Sequence, residues 1–153
     1  MISKYEHFSL SISRIHHDIQ RIERIEMEKF GLKGPHAQPL LAMYRHPEGV
    51  TSVQLCEICD KDKAAISRSL SELEDKGMVV RNLHHGSSYR AALTLTERGK
   101  EAAQAVSEVA RIAVEQAGIG MEDSQREVFY QVLALIADNL HAICTDGLKK
   151  NGA

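Results

Sequence analysis

Residues 63–76 read Lys-Ala-Ala-Ile-Ser-Arg-Ser-Leu-Ser-Glu-Leu-Glu-Asp-Lys, and Gly77 follows directly. Ile66, Leu70 and Leu73 fall at i, i+4 and i+7, so a helix over this stretch buries them as one stripe. The other side carries Lys63, Ala64, Ser67, Arg68 and Ser71, small and basic near the start. Glu72, Glu74 and Asp75 make the far end acidic, and Gly77 is the expected stop. Such a face can enter the DNA major groove. Ala64 and Ser67 permit close approach, while Lys63 and Arg68 reach phosphate or guanine. A solvated face on an ordinary helical domain carries the same charges, so the neighbouring segments decide.

Upstream, Thr51 with Gln54 three residues on forms a capping-box pattern that opens a short helix. Val53, Leu55, Cys56, Ile58 and Cys59 supply that helix's apolar content, and Asp60–Asp62 is a polar turn. Another short helix is expected from about His36 to Arg45, after the break at Gly31, Gly34 and Pro35 and before Pro47 and Gly49. Downstream of Gly77 the period changes to two, over Val79–Leu83 and again over Tyr89–Leu95, around a His85-Gly-Ser-Ser88 turn cluster. Three short helices closed by a β-hairpin make a winged helix-turn-helix. Helix N-termini at Thr51 and Asp62 offer backbone N–H groups to phosphates, and the hairpin carries Arg81 and Arg90 toward a neighbouring groove.

Long helices flank this centre. One is expected from about Tyr5 to Phe30, with Phe8, Ile12, Ile15, Ile19 and Ile22 at spacings of four, three, four and three. Two more run over about Glu97–Ala117, behind the cap candidate Thr96, and about Asp123–Thr145. The last carries Val128, Val132, Leu135, Ile136, Leu140 and Ile143. One small core offers these stripes too few partners, so packing against a second copy is expected through Phe8, Ile12, Ile15, Ile19, Val132, Ile136 and Leu140. The fold class expected is mainly α with a small β-hairpin wing. Residues 1–34 form an N-terminal dimerisation helix, 35–96 the winged helix-turn-helix, and 97–153 the C-terminal dimerisation helices.

The stretch from Val50 to Lys100 resembles the MarR family of transcriptional regulators. The matching words are Thr51-Ser-Val-Gln-Leu55, Lys63-Ala-Ala-Ile-Ser-Arg68, Leu73-Glu-Asp-Lys-Gly77 with Met78-Val-Val-Arg81, and Leu95-Thr-Glu-Arg-Gly99. The resemblance implies a homodimer that binds a near-palindromic operator, usually represses, and releases DNA on meeting a small ligand or oxidant. It carries Lys63, Ser67 and Arg68 over as groove contacts, with Arg81 in support. The set of expected DNA contacts is therefore Thr51, Ser52, Lys61, Lys63, Ala64, Ser67, Arg68, Ser71, Arg81 and Arg90. The wing departs from the family's Asp-x-Arg pattern. Those positions fall at Ser87 and Tyr89, which leaves Arg90 as the wing's basic residue.

Composition bounds the rest. The chain has 153 residues with 43% hydrophobic and 26% charged side chains, as a globular domain has. Aromatic content of 5% and no Trp argue against a base-stacking platform. A net charge of −2 argues against an unspecific polyanion binder, yet it is unevenly spread. Residues 61–100 hold 8 basic and 5 acidic side chains, while residues 101–153 hold 4 and 8. No phosphate-binding Gly-rich loop, G-x-S-x-G or H-E-x-x-H is present, so an enzyme is not expected. Cys56-Glu-Ile-Cys59 lies within an expected helix and reads as small core residues rather than a zinc or redox pair. The eight His lack ligand spacing, so neither a metal nor a cofactor is expected.

A small-molecule pocket between the dimer layer and the reader would have His16, Ile19, Tyr44 and His46 as walls. The expected function is a cytoplasmic, ligand-responsive DNA-binding repressor, with double-stranded DNA and a second copy as partners and no membrane. The competing expectation is a dimeric winged-helix adaptor that works through protein contacts alone.

Overall fold

A computed structural model describes residues 3–82 and 91–148. Helix α1 spans Lys4–Glu28, and a 3-10 turn covers Gly34–His36. Helices α2 (Ala37–Arg45), α3 (Ser52–Cys59) and α4 (Lys63–Asp75) precede strands β1 (Val79–Asn82) and β2 (Ala92–Leu95). Helices α5 (Glu97–Ala117) and α6 (Asp123–Asp146) follow. The fold is mainly helical with one antiparallel hairpin, as the sequence leads one to expect.

The helix boundaries follow from local chemistry. The Ser3 hydroxyl accepts from Glu6 N–H, and Glu6 accepts from Ser3 N–H, which caps α1. Thr51 and Gln54 form the same reciprocal pair at α3. Asp62 Oδ1 accepts from Ala65 N–H at 2.7 Å and opens α4. Gly77 sits at φ +69, a left-handed value that costs glycine nothing, and it turns the chain from α4 into β1.

The chain forms two compact units, Met1–Ala113 and Val114–Ala153. In the first, Ile66, Leu70 and Leu73 are almost fully buried together with Leu40, Met43, Leu55, Met78, Leu93 and Val106. Each such side chain contributes about 1.5–3 kcal/mol by leaving water. The hairpin pairs Val79 with Leu95 and Arg81 with Leu93. Val50 adds a one-residue bridge to Leu93, exchanging both backbone hydrogen bonds at 3.1 and 2.8 Å. The base of the hairpin is thus tied to the residue just ahead of α3.

Thr96 locks the same region from the other side. Its hydroxyl donates to the Gly77 carbonyl at 2.6 Å and accepts from Gly99 N–H. Gly99 is buried against Met78, and a Cβ there would collide with the Met78 carbonyl.

In the second unit, Arg126 donates to the Gly118 carbonyl at 3.2 Å and closes the turn into α6. Helix α6 buries none of its residues, and Val128, Phe129, Tyr130, Val132, Leu135, Leu140 and Ile143 are exposed. By length and composition alone it is long and apolar enough to cross a membrane.

Candidate nucleic-acid interface

Helix α4 lies with its aliphatic stripe in the core, so its other face is fixed outward. Lys63, Ala64, Ser67, Arg68 and Ser71 are all exposed on that face, and Lys61 is exposed in the turn before it. Among the described residues, Lys61, Lys63 and Arg68 make no ion pair or side-chain hydrogen bond, so their charges stay available. The Asp62 carboxylate is committed to the cap, which leaves the first turn's cations unneutralised by it.

The remaining expected contacts are placed differently. Thr51 and Ser52 are half-buried at the start of α3, and the Thr51 hydroxyl is spent on capping. Arg81 is half-buried on β1, where its guanidinium donates to Glu74 Oε1 at 2.6 Å. It braces the strand against α4. Arg90 and the wing positions Ser87 and Tyr89 lie outside the described residues.

Acidic residues at the far end of α4 serve the fold. Glu72 accepts from Lys33 at 3.1 Å and from the buried His36 ring at 2.9 Å. The His36 Nδ1 accepts from the Lys33 backbone N–H, so Nε2 carries the proton that Glu72 receives. Burial pulls the His36 pKa down, opposed by the Glu72 hydrogen bond. Lys33 and His36 hold the Glu72 carboxyl below its ordinary range. The acidic end of α4 was visible in the sequence, but its partners were not. They lie 36 and 39 residues away and follow no local spacing.

The other singled-out residues are distributed as follows. Phe8, Ile12 and Ile15 are exposed on α1, and Ile19 is half-buried. Val132 and Leu140 are exposed on α6, and Ile136 is half-buried. His16 and Tyr44 are exposed, Ile19 and His46 half-buried, and His46 pairs with Glu48 at 3.0 Å. None of these four lines the cleft of about 720 Å³ found in the first unit. That cleft is walled by α1, the segment around the 3-10 turn, and α4. Cys59 is buried in the core, where desolvation pushes its thiol up, and Cys56 is half-buried. Among the described residues no group of three or more metal-ligating side chains converges.

Comparison with known proteins meets this geometry. Residues 30–86 match the family model described as MarR family. An HTH-type transcriptional regulator of Bacillus subtilis, YdgJ, is 25% identical over 104 residues, 68% of this chain. The match spans 63% of that relative's own length. A MarR transcriptional regulator from Methanosarcina mazei superposes with a TM-score of 0.80 at 23% identity, covering 92% of this chain and 94% of that one. A MarR family protein from Listeria monocytogenes, in complex with a 26mer DNA, gives 0.77 at 18% identity over 93% and 96%.

Proposed function

We infer that this chain, similar to the MarR family of transcriptional regulators in sequence over residues 30–86 and in fold along nearly its whole length, is a regulator that binds double-stranded DNA as a homodimer. The observation that carries this reading is the outward face of α4. It is small and basic, its cations are unpaired, and it is held rigidly by a buried stripe. Lys63, Ala64, Ser67, Arg68 and Ser71 meet the major groove, with Lys61 and the half-buried starts of α3 on flanking phosphates. Arg90 serves the wing. The DNA complex of the Listeria relative supports the same use of the fold.

The exposed apolar residues of α1 and α6 support a second copy as their cover, because a dimer would bury Phe8, Ile12, Ile15, Val132 and Leu140. Two readers then address a pseudo-palindrome whose half-sites lie about one helical turn apart. Repression relieved by a small molecule, in the cytoplasm, completes the reading. Selection of bound fragments from genomic DNA, followed by titration at several salt concentrations, tests it. A recovered inverted repeat and an affinity that falls steeply with salt are expected. Absence of binding to every fragment at low salt would sink it.

A further inference from the structure

The cleft in the first unit is lined by side chains of both charges, one of them a buried carboxyl. Glu23 lines it and is only 7% exposed, yet among the described residues it makes no hydrogen bond or ion pair. Its carboxyl oxygens are not sealed, since no buried side-chain oxygen lacks a partner among the described residues. The carboxyl therefore opens to the cleft that it lines. Arg21, Lys61 and Arg68, from α1, the turn before α4, and α4, line the same cleft and make no ion pair or side-chain hydrogen bond among the described residues, whereas Arg24 pairs with Glu28 and Lys33 and His36 with Glu72. Pro39 and Ile66 give the wall an apolar part.

We propose that this cleft is an effector site for an amphoteric small molecule, its ammonium group meeting Glu23 and its carboxylate meeting Arg21, Lys61 and Arg68. The charge logic runs in both directions. A buried carboxyl without a donor loses solvation and gains nothing in return, so desolvation raises the Glu23 pKa, against a weaker pull from His16. A ligand ammonium supplies donors and a compensating charge, and the carboxylate becomes a favourable partner. The unpaired cations that line the cleft ask for the opposite group. A molecule with only one charge leaves one end of the site unmatched.

The proposal rests on the DNA-binding reading for its consequence. Arg68 lies on both the cleft and the outward face of α4. A ligand carboxylate that engages Arg68 and Lys61 withdraws them from phosphate, so ligand and DNA compete.

The test uses the full chain and three rigid probes, 4-(aminomethyl)benzoate, benzoate and benzylamine, each titrated by calorimetry without DNA. The amphoteric probe should bind at least about tenfold tighter than either singly charged one. Glu23→Gln should abolish that preference while benzoate binding stays unchanged, and Glu23→Gln should bind DNA as the parent does. Equal affinities for the three probes, a preference that survives in Glu23→Gln, or no heat with the amphoteric probe at millimolar concentration would each overturn the proposal. These titrations contain no DNA, so their failure is separable from failure of the regulator reading. Competition is then read by fluorescence anisotropy of labelled operator as the amphoteric probe is added.

Discussion

At the scale of single residues, Arg68 and Arg81 have separate duties. Arg81 is spent on Glu74, while Arg68 is exposed and unpaired on the outward face of α4. Arg68→Ala should weaken operator binding by about 1–3 kcal/mol and leave folding unchanged. Anisotropy titration beside a thermal melt checks this, and unchanged operator affinity would remove Arg68 from the interface. Gly99 makes the opposite kind of prediction. A Cβ there meets the carbonyl of Met78, which is backbone and cannot swing aside. Gly99→Ala should cost about 1–3 kcal/mol of stability, read as a lower urea midpoint, through overpacking between α5 and β1. An unchanged midpoint would show that the joint yields.

At the scale of elements, α4 is held at both ends of its acidic half, by Glu72 toward the 3-10 turn and by Glu74 toward β1. The first of these contacts titrates. The folded state holds His36 below its ordinary pKa of about 6.5, so it binds that proton less readily than the unfolded chain does. The contribution is intact above that value and is lost as pH falls through the lowered pKa. Glu72, also lowered, loses its contribution further toward acid, below the ordinary carboxylate range. Urea midpoints should therefore hold above about pH 6.5 and drop as the pH falls below it. His36→Gln should reduce that drop, and an equal drop in both proteins would show that His36 is not its source.

The local rules reach this level unevenly. The stripe of Ile66, Leu70 and Leu73, the caps at Thr51 and Asp62, and the stop at Gly77 are all legible because each depends on residues within one or two turns. First-helix boundaries shift by a residue or two, from the expected Tyr5–Phe30 to Lys4–Glu28, since Ser3 caps it and frayed ends carry little sequence signal. The Glu72–His36 contact and the Val50–Leu93 bridge join distant segments, so no periodicity announces them. The same holds for the cleft, whose unpaired Glu23 lies between the apolar stripe of α1 and its basic face.

At the scale of the whole molecule, composition alone pointed away from DNA, because the formal charge is −2. The fold sets Lys63 and Arg68 on one outward helix face with Lys61 in the turn before it, and it commits Asp62 to a cap and Glu72 and Glu74 to braces. Charge position, rather than net charge, then governs the partner. The exposed stripes of α1 and α6 extend the argument to assembly. Ile15→Asp should break the dimer and operator binding together, since a carboxylate cannot be desolvated there without a partner. Light scattering that still shows a dimer would mean that α1 packs elsewhere.

The bridge from Val50 to Leu93 has a consequence for how such a chain can diversify. The hairpin is anchored from below, at Val50 and again where Thr96 N–H meets the Met78 carbonyl. Insertions or deletions beyond Asn82 and before Ala91 therefore leave the anchoring untouched. Variation in the sequence between Asn82 and Ala91 and stability of the core become separable properties, so a segment exchanged there between relatives would be inherited like a cartridge, with its mount unchanged.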